Sequence, residues 1–145
     1  MNPDPSALAL IPAAWLASNL AHRFLIETRR RRWERGIRRD ADGLVPGAAP
    51  YTVGDGDVAL LLVHGFADIP AVFRGLADEL AARGLACRAM RLPGAGEPPA
   101  VAARQTPETW LAAVRAEAAA LRAAHGSVWL AGHSMGGALA LLAQL

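Results

Sequence analysis

Five consecutive residues, Gly132-His133-Ser134-Met135-Gly136, combine a reactive side chain with a spacing that can activate it. A serine hydroxyl is a weak nucleophile at neutral pH and needs a base to take its proton. The pattern G-x-S-x-G marks a sharp strand-to-helix turn with the serine at its apex. Glycines two residues before and two after it let strand and helix cross without a Cβ clash. Ser134 is therefore the candidate nucleophile, with Gly132 and Gly136 as the glycines of the turn. A carbonyl attacked there becomes an oxyanion that requires fixed donors. The backbone N–H of Met135 is one candidate, at a helix N-terminus where the dipole also favours negative charge. The second is expected from His64-Gly65-Phe66, with the Phe66 N–H as donor and Gly65 allowing close approach of the backbone.

These residues need a frame. Residues 58–63 (VALLLV) form a continuous apolar run, as in a strand buried on both faces of a parallel sheet. Residues 70–83 have helical spacing at Val72, Leu76 and Leu80, and Gly84 closes that helix. A second strand is expected over 85–92 and a loop over 93–99. A long helix follows, with Thr106 as N-cap and Pro107 at N1, carrying Trp110, Leu111, Val114 and Leu121 and stopped by Gly126. Residues 127–132 read as the third strand and 134–145 as the third helix; residues 51–53 read as an edge strand. Strand-helix alternation implies right-handed crossovers and a mostly parallel sheet in a three-layer α/β/α arrangement. Ligands bind at the carboxyl ends of such strands, where the loops after Val63, Leu92 and Ala131 converge.

Composition bounds the alternatives. The chain has 145 residues, 53% of them apolar, enough for a packed core. All 15 basic residues are arginine, and Cys87 is the one cysteine. A single thiol in an apolar run excludes an internal disulfide and reads as structural. No metal cluster and no organic cofactor are expected. His133 reads as structural, because neighbours on a tight turn point apart. His64 reads as orienting its own loop, His125 as a helix C-terminal residue, and His22 as part of the front helix. Asp68 reads as a solvated or turn-capping carboxylate.

The front of the chain differs in character. Residues 1–6 are a polar lead with no basic segment, so a cleaved signal is not expected. Residues 7–26 (ALALIPAAWLASNLAHRFLI) are long enough for about 30 Å of helix. Pro12, Ser18, Asn19, His22 and Arg23 interrupt them. They read as a membrane-spanning anchor with Arg23 snorkelling, with an interfacial helix or a helix packed on its own protein as alternatives. Residues 23–39 hold eight arginines and two glutamates, net +6, so the remainder carries −4 of the overall +2. One such cluster beside an apolar helix fits an anionic membrane surface better than a nucleic acid. Arg29 to Arg32 would then face the cytoplasm, with Trp33 at interface depth. The expected organisation is a hydrophobic and basic helix over 1–39, a linker over 40–50, and a globular part over 51–145.

Three stretches, LLLVHGF at 60–66, RLPGAGEPP at 91–99 and LAGHSMGG at 130–137, resemble the first half of an α/β-hydrolase. They are similar to the carboxylesterase and monoacylglycerol-lipase branch and to the serine aminopeptidase-like hydrolases, over about residues 44–145. Relatives often read P-G-H-G where Ala95 stands here. A serine rather than an aspartate at position 134 argues against the dehalogenase and epoxide-hydrolase branches. The resemblance implies hydrolysis of a small-molecule carboxylic ester, lipid-like substrates included, through an acyl-serine intermediate. It also implies that a triad acid and histidine follow the serine in chain order. None of the eleven residues after Ser134 is Asp, Glu or His. The expectation is thus a truncated hydrolase domain, inactive alone. Another acyl hydrolase or acyltransferase of the same fold (a peptidase or thioesterase among them), or a non-catalytic membrane-tethered module, are the alternatives.

Overall fold

The computed structural model describes residues 5–144, with side chains from Ile11 onward. The expected polar lead over 1–6 falls largely outside the described residues, as does Leu145. The chain divides into two compact units, Met1–Arg38 and Arg39–Leu145.

The first unit is one helix, α1 (Pro5–Gly36), with Pro12 inside it. Its basic end is laced by ion pairs at helical spacing. Arg30 contacts Glu27 at 2.8 Å and Glu34 at 2.6 Å, and Arg31 contacts Glu27 at 2.7 Å. The hydrogen bonds from Arg30 and then Arg31 hold the Glu27 carboxyl down to about 2. The membrane-spanning expectation for residues 7–26 is corrected: among the described residues no helix is long and apolar enough to cross a membrane. Pro12, Ser18, Asn19, His22 and Arg23 dilute the apolar run, which also carries exposed Trp15 and Phe24.

The second unit is built on a four-stranded sheet of β1 (Tyr51–Val53), β2 (Val58–Val63), β3 (Ala86–Ala89) and β4 (Ser127–Gly132), in the order β1-β3-β2-β4. The sheet is mixed. β2 pairs in parallel with β3 and β4, while β1 runs antiparallel to β3. The strand expected over 85–92 is shorter than its apolar pattern, because pairing with β2 ends at Ala89. Around the sheet lie α2 (Arg74–Ala81), a single helical turn α3 (Pro99–Ala102), α4 (Pro107–Ala124) and α5 (Met135–Leu142). The helix expected from residue 70 begins as a 3-10 turn, Pro70–Phe73. Thr106 and Thr109 close a reciprocal capping box at the start of α4.

The alternation of strand side chains divides the core between the two faces of the sheet. Leu61 and Val63 join Met90, Leu92, Val114, Ala118 and Leu139 on the α4–α5 face. Leu60 and Leu62 join Phe73, Ala77, Cys87 and Ala89 on the α2 face. Burial pushes the Cys87 thiol above its ordinary range, as expected of a structural cysteine.

Residues 40–50 are more than the linker their composition suggests. Leu44 and Ala48 are buried, Val45 N–H donates to the Gly96 carbonyl at 3.0 Å, and Ala71 N–H donates to the Gly47 carbonyl at 3.2 Å. The Gly, Pro and Asp residues form turns that fold back on the domain. Asp40 accepts at Oδ1 from the N–H groups of Asp42 and Leu44.

Candidate active site

Ser134 stands between β4 and α5 with φ 54° and ψ −123°. That conformation is costly for a residue with a Cβ and persists only where surrounding structure imposes it. The imposing contacts are backbone against backbone. A Cβ on Gly136 would collide with the Val63 carbonyl, and one on Gly132 with the Gly136 carbonyl. Helix and strand therefore cross where only glycine fits. His133 N–H donates to the Val63 carbonyl at 3.0 Å, which hangs the turn from the end of β2. Gly136 N–H and Gly137 N–H close it on the carbonyls of His133 and Ser134, both at 2.9 Å. Met135 begins α5, so its N–H belongs to the first turn, where helix donors lack intrahelical partners.

The loop after β2 packs directly on this turn. A Cβ on Gly65 would lie 3.3 Å from both the Ser134 Cβ and the His133 carbonyl oxygen. Phe66 follows on the same loop with its ring largely exposed. Ala67, at φ 59°, is the one other non-glycine residue with positive φ among the described residues, so both strained positions lie at this edge.

His64 holds the loop from beneath. It is buried, its Nδ1 lies 2.9 Å from the Gly65 carbonyl, and its Nε2 accepts the Leu92 N–H at 3.1 Å. An Nε2 that accepts and an Nδ1 that donates define a neutral ring. Burial also lowers the His64 pKa below its ordinary value. The orienting role expected of His64 thus has its hydrogen bonds. His125 lies at the opposite, amino edge of the sheet, with Nδ1 3.0 Å from the Gly56 carbonyl.

Two contacts at the site have no counterpart in the sequence pattern. Asp68 Oδ2 lies 3.5 Å from His133 Nδ1, so this carboxylate faces the nucleophile turn rather than solvent alone. Trp110, anticipated as part of the α4 packing stripe, meets the Phe66 ring edge-on at 6.3 Å. Its Nε1–H donates to the Pro93 carbonyl at 3.0 Å. The structure brings Gly65, Phe66, Gly132, Ser134, Met135 and Gly136 together at one edge, from two loops separated by more than sixty residues.

This fold and edge define a member of the alpha/beta hydrolase family, whose profile matches residues 60–145, and the chain belongs to that family. It is 35% identical over 98 residues to a thermostable monoacylglycerol lipase of Bacillus sp. (strain H-257), covering 68% of this chain and 39% of that protein. It is 41% identical over 61 residues to a carboxylesterase of Bacillus subtilis (strain 168), covering 42% of this chain and 25% of that protein. A solved structure from work on two metagenome-derived lipolytic enzymes, LipS and LipT, aligns with a TM-score of 0.65 at 34% identity, over 69% of this chain and 41% of the other. An epoxide hydrolase of Vigna radiata shares the fold, at a TM-score of 0.51 and 22% identity, over 70% of this chain and 34% of the other. The chain spans about two fifths or less of the length of the curated relatives it matches.

Proposed function

We propose that this chain carries the nucleophile half of a serine ester hydrolase. The observation that supports it most is the strained Ser134 backbone, held by glycine-only crossings at the N-terminus of α5. In this reading Ser134 Oγ attacks the ester carbonyl. The N–H groups of Phe66 and Met135 hold the resulting oxyanion, and loss of one such donor costs about 3–4 kcal/mol of transition-state stabilisation. A histidine outside residues 1–145, oriented by a carboxylate, takes the serine proton and passes it to the departing alcohol. Water then cleaves the acyl-serine by the same route in reverse. The monoacylglycerol lipase and carboxylesterase relatives favour a small-molecule carboxylic ester over an amide or thioester.

The test is hydrolysis of p-nitrophenyl esters of graded acyl length by the full-length enzyme and by residues 1–145 alone. Full-length turnover abolished by Ser134→Ala, with no turnover by the 145-residue chain, is the expected result. Turnover that survives Ser134→Ala overturns the assignment of the nucleophile. Faster acyl transfer to an amine, thiol or second alcohol than to water would move the assignment to the peptidase, thioesterase or acyltransferase alternatives.

We also infer that α1 lies along an anionic membrane surface on the cytoplasmic side, without crossing it. The support is the run Arg29 to Arg32 on a helix that also exposes Trp15, Phe24 and Trp33. Co-sedimentation with vesicles containing anionic lipid, lost on deleting residues 1–38 and weakened by salt, is the expected result; salt-independent or absent sedimentation refutes it.

A further inference from the structure

The loop of residues 65–68 sends two side chains to partners outside the loop. Phe66 meets Trp110 edge-on, with ring planes at 71°. Trp110 is itself anchored: its indole N–H is bonded to the Pro93 carbonyl, and it packs against the core cluster that includes Leu61 and Val63. The Asp68 carboxylate lies 3.5 Å from the imidazole of His133, the residue before Ser134. Between them Ala67 keeps its positive φ. Among the described residues, one backbone hydrogen bond closes the loop, from Asp68 N–H to the Gly65 carbonyl at 3.3 Å.

We propose that Trp110 and the Asp68–His133 pair are positioning residues that clamp this loop at two points and fix the Phe66 N–H relative to the Met135 N–H. The proposal rests on the ester-hydrolase reading above. An oxyanion donor acts only at hydrogen-bond distance from the developing charge. A loop free to drift by an ångström would still admit substrate, so the clamp governs kcat rather than KM. Trp110, anchored at Pro93 and on the core, holds the loop by packing against the Phe66 ring. Asp68 holds it by tying the loop to the turn that carries the nucleophile, so the two halves of the site move together.

The test combines steady-state kinetics of the full-length enzyme on p-nitrophenyl butyrate with amide exchange in the 145-residue chain. Asp68→Ala and Trp110→Leu are expected to lower kcat about tenfold with KM changed by less than about twofold. Asp68→Asn keeps an acceptor for His133 and is expected to restore most of the rate. Trp110→Phe keeps a ring against the core while removing the bond to Pro93; it replaces Trp110→Leu should the latter not fold, with a loss of about threefold. Asp68→Ala added to His133→Ala is expected to cost no more than His133→Ala alone, because the pair is already broken. In the 145-residue chain the same substitutions should speed exchange at Phe66 and Ala67 and leave the β2 amides unchanged. Changes confined to KM, fully additive losses, or unaltered exchange at Phe66 overturn the clamp. Full activity of Asp68→Ala and Trp110→Phe beside an inactive Ser134→Ala overturns it while leaving the hydrolase reading intact. Activity that survives Ser134→Ala removes both.

Discussion

His64 Nε2 accepts the backbone N–H of Leu92 across 3.1 Å, while the other nitrogen of the same ring faces the Gly65 carbonyl. One buried imidazole therefore joins the ends of β2 and β3, and it does so only while neutral. Folding lowers its pKa from the ordinary 6.5, chiefly through desolvation. At pH below about 6.5 the unfolded chain takes up a proton that the folded chain refuses. The stability that His64 contributes is complete above that pH and declines as pH falls through the window down to the folded-state pKa. Urea unfolding between pH 8 and 5 should show a slope of up to about 1.4 kcal/mol per pH unit from this one proton. His64→Gln should lose that part of the slope; identical slopes in the two proteins would refute the assignment.

Ser134 trades stability for exposure of its hydroxyl. Its φ of 54° with ψ of −123° suits glycine and strains any other residue. Ser134→Gly should raise the unfolding free energy by about 1–3 kcal/mol, the cost of such a strained position. On the proposed reading of Ser134 as nucleophile, the same substitution should also abolish ester turnover. A variant no more stable than the wild type in urea titration would show that the turn is not under strain.

Gly136 and Gly75 make a matched contrast. A Cβ on Gly136 runs into the Val63 carbonyl, a backbone atom that cannot turn aside, whereas one on Gly75 meets nothing within 4 Å. Gly136→Ala should therefore destabilise by about 3 kcal/mol or more, by forcing α5 away from β2. Gly75→Ala in α2 should stabilise by about 1 kcal/mol through helix propensity alone. Denaturant midpoints of the two variants, read at equal m-values, check both directions.

Periodicity and turn chemistry carried most of the second unit. The run at 58–63 is hydrophobic at every position because both faces are covered, and Thr106-Pro107 announces α4 by its own capping chemistry. The turn at Ser134 was legible for the same reason: glycine at 132 and 136 has a local steric cause. What sequence spacing does not encode is how loops meet. Asp68 and His133 are sixty-five positions apart, and neither residue type points to the other. Trp110 fits a helical packing stripe, so its second contact, with Phe66, is invisible in the pattern. Residues 40–50 misled because Gly, Pro and Asp mark turns whether a turn is solvated or folded onto the domain. In residues 7–26 the apolar count suggested a span, while the interrupting polar residues decided against one.

The cap of α4 links stability to the site. Thr106 Oγ1 accepts from Thr109 N–H at 3.3 Å, and Thr109 Oγ1 accepts from Thr106 N–H at 3.0 Å. Trp110 is the next residue, so the cap fixes the first turn of the helix that supports Phe66. Thr106→Ala removes the acceptor for the Thr109 N–H and should cost about 1 kcal/mol, whereas Thr106→Ser should cost little. Because the box is reciprocal, Thr109→Ala should cost a similar amount, and the double variant less than the two losses added together. Urea titration of the four proteins measures this coupling. Strict additivity would mean that the two hydroxyls act independently and that the box is not a unit.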